Sequence, residues 1–184
     1  MKQLVTNVLS RDEVSKIDFI AANIKVSSLG FNAVKKGIND NKIKVRYSSK
    51  LPRNTARYNY TKNRLSLNFR TLQDDHNREA LIVHECVHAI CDIAGNKLLV
   101  AHGEAAAYIA QAQYFYYRNQ DALDDGSMSM EFSMKILDEA WDLAAQAREN
   151  STLSEDDLTP LIKAISKHPL YRKRHDKHDH CDGI

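Results

Sequence analysis

Apolar positions change their period twice along this chain, and the changes divide it into helix, sheet and helix. After Ser10-Arg11-Asp12-Glu13, which matches a capping box in which serine and glutamate side chains each satisfy a free backbone N–H, apolar residues recur at helical spacing. That pattern predicts a helix from Arg11 to Ile24 and a second, shorter one from Leu29 to Ile38, ended by the polar run Asn39-Asp40-Asn41. A period of two then takes over in Ile43-Lys44-Val45-Arg46-Tyr47, in Ala56 to Thr61 and in Arg64 to Phe69, with Lys62-Asn63 as a tight connection. The expectation is a small antiparallel three-stranded sheet with one wet, basic face.

Helical spacing returns after Thr71. From Asn77 to Ala94 the chain is apolar nearly all round, which places that helix in the core, and Gly95-Asn96 is a suitable stop. An alanine- and aromatic-rich helix is expected from Leu98 to Tyr117, a loop from Asp121 to Gly126, and an amphipathic helix from Met130 to Arg148. A last helix follows Ser154, capped with Asp157. From Tyr171 to Ile184 the chain is polar and histidine-rich, which reads as a mobile tail folded against the body only at its start. Helices, three strands and helices again, without strand–helix alternation, predict an α+β fold whose sheet packs on a core of helices, helix 77–94 being central. Residues 1–171 are expected to form one domain and 172–184 the tail.

Composition leaves this picture intact: 184 residues that are 43% hydrophobic and 27% charged suffice for one substantial core. No secretory apolar segment can be drawn at the start, and no apolar run reaches the length of a membrane span. The expected location is therefore the cytoplasm, with export by a route that needs no cleaved signal left open. Cys86 and Cys91 lie five apart in one expected helix, too far to bridge without distortion, so with Cys181 they read as reduced thiols. Charge is unevenly spread. Val34 to Arg70 holds eleven Lys or Arg against Asp40 alone, and Gln120 to Thr159 holds eleven Asp or Glu against Lys135 and Arg148. Such blocks either face each other or solvent, or present the basic sheet to an acidic partner or nucleic acid.

The chemistry concentrates in His84-Glu85-Cys86-Val87-His88, an H-E-x-x-H pattern. Two histidines four apart on a helix stand one above the other, about 6 Å along the axis, so both imidazoles can converge on one ion. Glu85, beside the first, is then placed to take a proton from an attacking water. The surrounding helix is otherwise apolar, where buried histidine and glutamate are costly unless something ligates or bonds them.

This pattern, followed by Glu104 at the start of the next helix, resembles the gluzincin group of zinc peptidases. Gly103-Glu104-Ala105-Ala106-Ala107-Tyr108 is similar to the E-x-x-A-Y segment of small bacterial toxin-like peptidases. The resemblance covers roughly Arg64 to Tyr117. It implies zinc held by His84, His88 and Glu104, Glu85 as catalytic base, hydrolysis of a peptide or related amide bond, and an extended protein or peptide substrate lying along the strand Arg64 to Phe69. The second acidic residue of some gluzincins is replaced by Tyr108. His102-Gly103 also resembles the third-histidine segment of Spartan-type proteases that act on DNA-bound protein, which makes His102 a rival third ligand. The metzincin pattern is excluded by Cys91 and Ala94.

Other groups carry weaker expectations. Asp92 lies on the face of His88 and either orients a ligand or makes a cap or salt bridge. Tyr114, Tyr116 and Tyr117 read as packing, and His168 and Tyr171 as sources of a transition-state donor. The tail ligands His175, Asp176, His178, Asp179, His180 and Cys181 lack an environment that would fix them. A competing class is a non-catalytic module whose basic sheet binds nucleic acid or a partner while the histidines hold a structural metal; an intact Glu85 argues against it.

Overall fold

The chain begins with two short helices, α1 (Lys2–Val8) and α2 (Asp12–Ser15), in place of the long helix expected from Arg11 to Ile24. Ser10 does not cap forward; its hydroxyl donates back to the Thr6 carbonyl at 2.7 Å, and Arg11 is the N-cap of α2. A hairpin follows, β1 (Phe19–Ala21) and β2 (Ile24–Val26), turning through Ala22 and Asn23 at φ 49° and 62°. Phe19, Ala21, Ile24 and Val26 are all buried, so the true period is two on either side of a two-residue turn. The segment α3 (Ser28–Asn39) agrees with its expected span.

The basic sheet is built from β3 (Lys44–Tyr47), β4 (Ala56–Asn59) and β5 (Arg64–Leu67) in the order β3-β5-β4. It is mixed, not wholly antiparallel: β4 and β5 form the expected antiparallel pair, but β3 and β5 run parallel. The reason is burial. Leu65, Ser66 and Leu67 are buried while Lys44 and Arg46 are exposed, so the most apolar strand takes the centre and the charged strand an edge. The structure describes residues 1–184 apart from 74, 96, 131, 132, 180, 182 and 184, and is a computed structural model.

The core of the molecule is an antiparallel helix pair, α4 (His76–Ala94) and α5 (Val100–Arg118). Asp75 caps α4 by accepting from the N–H groups of Asn77 and Arg78, and Gly95, at φ 65°, supplies the left-handed turn that ends it; the expected partner Asn96 lies outside the described residues. The pairs His88 with Glu104, His84 with Tyr108 and Glu79 with Tyr114 step along the two helices in opposite directions. Ala105, Ala106, Ala107 and Ala110 are fully buried and allow a close approach.

Beyond α5 a short helix, α6 (Gln120–Asp124), replaces the expected loop, and α7 (Lys135–Glu149) begins later than expected, residues 131 and 132 lying outside the description. Then β6 (Thr152–Leu153) pairs parallel with β1, making a second sheet in the order β2-β1-β6, and α8 (Glu155–Lys167) starts at a complete capping box of Ser154 and Asp157. The fold is α+β. Among the described residues no helix is long and apolar enough to cross a membrane.

The polar C-terminal run is docked, not mobile, as far as it is described. Leu99, the N-cap of α5, offers no side-chain acceptor, so the first N–H groups of that helix lack a local partner. The tail supplies it: Val100 N–H donates to Lys177 O at 2.8 Å and Ala101 N–H to His175 O at 3.1 Å. Asp179 N–H returns a bond to Leu98 O at 2.8 Å, and Tyr171 and Cys181 are buried.

At the far end of the helix pair Glu79, fully buried, accepts from Tyr114 Oη at 2.8 Å and Arg118 Nε at 3.2 Å, and pairs with Arg11. Removing it would strand these donors. Glu79→Ala is therefore expected to lower stability by roughly 2–4 kcal/mol, read from the urea midpoint; a loss below about 0.5 kcal/mol would show that the network contributes nothing.

Candidate metal centre

His84 and His88 stand one turn apart on the face of α4 that α5 covers, and Glu104, in the second turn of α5, is brought between them. The side-chain ligand atoms of the three lie within 4.8 Å of one another, and all three residues are buried. His84 Nε2 is 3.4 Å and His88 Nε2 3.8 Å from Glu104 Oε2. That oxygen is buried and has no hydrogen-bond partner among the described residues. A buried carboxylate oxygen left unbonded between two imidazole nitrogens is an expensive arrangement for a structural core, and a fitting one for a cation. The group can hold a metal ion.

Electrostatics agree with that donor set. Burial alone would raise Glu104, but His88, His84 and Arg174 outweigh it and bring its pKa down to about 2. Burial alone would lower His84, yet the Glu104 and Glu85 carboxylates, with Gln111, hold it above the ordinary value. A carboxylate and an imidazole that favour each other's charge in this way set protons and a cation in competition for the same seat.

Tyr60 fixes the ring of His88. Its hydroxyl lies 2.9 Å from His88 Nδ1 and donates to Asp179 Oδ2 at 3.2 Å. When the phenolic proton is given to an ionised Asp179, the bond to His88 is donated by Nδ1–H. The neutral ring is then the tautomer whose Nε2 lone pair faces the cluster, the form a metal ligand needs. Space for this support comes from Gly103, where a Cβ would lie 3.3 Å from Asp179 Oδ2 and 4.0 Å from His88 Nδ1.

Glu85 is buried beside the cluster without belonging to it. Its Oε2 accepts from the backbone N–H of Tyr58 at 2.5 Å, which ties the edge strand β4 to the helix. Tyr58 also donates from its hydroxyl to Asp92 at 2.7 Å, so Asp92 anchors the strand. The substrate strand expected at Arg64 to Phe69 is correspondingly corrected: its β5 is paired on both sides, and the edge strand at the site is β4.

On the other side Tyr108, at the position of the absent acidic residue, packs edge-on to the His84 ring at 4.6 Å and meets Tyr171 hydroxyl to hydroxyl at 3.0 Å. Burial, then nearby Glu104 in the case of Tyr171, pushes both phenols up, Tyr108 to about 12 even against the bond from Tyr171, so both remain protonated donors at neutral pH. Arg174 lies 3.6 Å from Glu104 Oε1.

Several expected residues fall elsewhere. His102 faces Glu155 of α8 at 3.4 Å and is not part of the three-residue group. His168 ends α8 and packs against Tyr171. Tyr114 serves Glu79, Tyr116 carries the Arg148 guanidinium, and Tyr117 lies beside Lys16. Cys86, Cys91 and Cys181 are buried, and no disulfide joins them among the described residues. His175 and His178 contribute to the docking of the tail, and His180 lies outside the described residues. Sequence reasoning missed Tyr58, Tyr60, Arg174 and Asp179 as parts of the site. The capless start of α5 was the available signal that the tail must return to it.

No family model, curated protein or solved structure matches this chain. The centre is accordingly read on its own geometry.

Two outcomes follow for metal loading. Glu104→Ala is expected to lose most bound divalent metal while His102→Ala retains it, measured by native mass spectrometry; the reverse would place the third ligand at His102. Tyr60→Phe, which keeps the ring but cannot bridge Asp179 and His88, is expected to weaken metal affinity by about tenfold or more in chelator competition. Unchanged affinity would show that His88 needs no such support.

Proposed function

We infer that the chain is a zinc-dependent hydrolase of peptide or related amide bonds. The observation that carries this reading is the placing of Glu85 next to a buried His84–His88–Glu104 group without joining it. A structural metal site has no use for a separate carboxylate at that position; a hydrolytic site needs one as base. Two imidazoles and one carboxylate suit zinc, which with three protein ligands would supply a Lewis acid and a water acidic enough to react near neutral pH.

Each protein group has a part in that reaction. Glu85 takes the proton of the attacking water and delivers it to the departing amine nitrogen. The Tyr58 N–H, which holds Glu85 Oε2, fixes the direction from which the carboxylate works. His84 and His88 are kept in position by Tyr108 and by Tyr60 respectively. The paired hydroxyls of Tyr108 and Tyr171, protonated at neutral pH, are phenolic donors beside the cluster for the oxygen that gains charge when the carbonyl is attacked. The edge strand β4 offers backbone groups to an extended substrate.

Glu85→Gln tests the assignment. It keeps size and a hydrogen-bonding end but cannot accept a proton at neutral pH. Metal content should be unchanged, and hydrolysis, sought as new chain ends in cells producing wild type but not the variant, should fall roughly 100- to 10,000-fold. Loss of the metal, or wild-type hydrolysis with the metal in place, would remove the role given to Glu85.

A further inference from the structure

The strand register puts four cations on one face of the β3-β5-β4 sheet. Arg64 of β5 lies directly opposite Lys44 of β3, and Ser66 is flanked by Arg46 on one side and Arg57 on the other. Partners in register, and residues two apart along a strand, share a face, so Lys44, Arg46, Arg57 and Arg64 all project on the side away from buried Leu65 and Leu67. The Cβ of Arg64 therefore has that of one cationic residue, Lys44, about 5 Å away across the strand pair, and those of Arg46 and Arg57 at diagonal positions about 7 Å away.

None of the four makes an ion pair among the described residues; the one side-chain bond in the group runs from Arg64 Nε to Ser66 Oγ at 3.3 Å. Burial and then Arg46 lower the pKa of Arg64, as crowding of like charge requires. Like charges set opposite each other in a sheet destabilise it. The chain has a long acidic block, yet among the described residues none of its carboxylates forms an ion pair with these four cations, so no described partner offsets the repulsion.

We propose that this sheet face is the docking surface for an acidic segment of the protein substrate, a reading that rests on the peptidase assignment above. Arg57 belongs to β4, the strand whose next residue, Tyr58, bonds Glu85 through its backbone and whose following turn carries Tyr60 to His88. A polypeptide leaving the cleft along β4 thus meets Arg57 first, and Arg64 and Arg46 behind it. Charge complementarity selects carboxylates. A peptide is favoured over nucleic acid because the face holds no aromatic ring on which a base could stack, Tyr47 and Tyr58 having the opposite parity. It is also only about 10 Å across three strands, room for few phosphates of a duplex.

The test uses the full chain carrying Glu85→Gln, so that no probe is cut, with and without the added double substitution Arg46→Gln/Arg57→Gln. Binding of a fluorescent glutamate-rich peptide and of its glutamine counterpart is followed by anisotropy at low and moderate salt. The double variant is expected to bind the glutamate peptide roughly five- to twentyfold more weakly, to treat the glutamine peptide as before, and to keep its metal with a thermal midpoint no lower than the parent's. Equal binding of the two peptides by the parent would overturn the proposal. So would a DNA duplex or single strand that displaces the glutamate peptide and loses affinity in the double variant, which would make the face a nucleic-acid surface. Peptide binding needs neither metal nor turnover. A preference for glutamate in a protein that proves inactive would sink the peptidase reading alone, whereas Glu85-dependent hydrolysis without that preference would sink the docking surface alone.

Discussion

Three ionisable side chains buried between two helices set the terms for the rest of this molecule. His84, His88 and Glu104 occupy positions in the α4–α5 interface where apolar side chains would stabilise the fold, and one carboxylate oxygen is left without a hydrogen bond. Such groups cost on the order of 1–3 kcal/mol each when unsatisfied. The neighbouring architecture offsets this: a run of buried alanines draws the helices together, Glu79 and its arginines lock the opposite end of the pair, and Tyr60 from the turn after β4 and Tyr108 of α5, itself bonded to Tyr171, hold the rings. The helix pair is rigid at both ends so that its middle can carry an arrangement that favours a cation over a packed core.

The same interface explains why the site was legible in one dimension and its support was not. His84, Glu85 and His88 follow from a four-residue spacing on a helix apolar nearly all round, whereas Glu104 is implied by the resemblance to gluzincins, with His102 as its rival. Both α4 and α5 agree with their expected spans within two residues. Tyr60 and Asp179, by contrast, lie 119 residues apart, and nothing local in either one announces that they share a hydrogen bond. Sequence periodicity reports which face of an element is buried, but not which distant element buries it.

Where periodicity failed, it failed for physical reasons that can be named. Phe19 to Val26 satisfies helical spacing only because a two-residue turn happens to separate two short strands. The sheet was read as antiparallel because β4 and β5 are joined by a tight connection; the pairing of β3 was decided instead by which strand could be buried on both edges. The polar tail was read as free because its composition gives it nothing to bury, whereas its backbone carbonyls satisfy the exposed N–H groups at the start of α5.

That docking has a bearing on the order in which the molecule can be completed. The three ligand residues and Glu85 have all been synthesised by residue 104, but the groups that steady them arrive much later: Tyr171 against Tyr108, Arg174 beside Glu104, Asp179 behind Tyr60. During synthesis the first turn of α5 and the hydroxyl of Tyr60 are therefore without their final partners for some seventy-five residues of elongation, several seconds at ordinary translation rates of about 5–20 residues per second. The centre matures from its three clustered residues outward, and the segment from Tyr171 to Asp179 closes it.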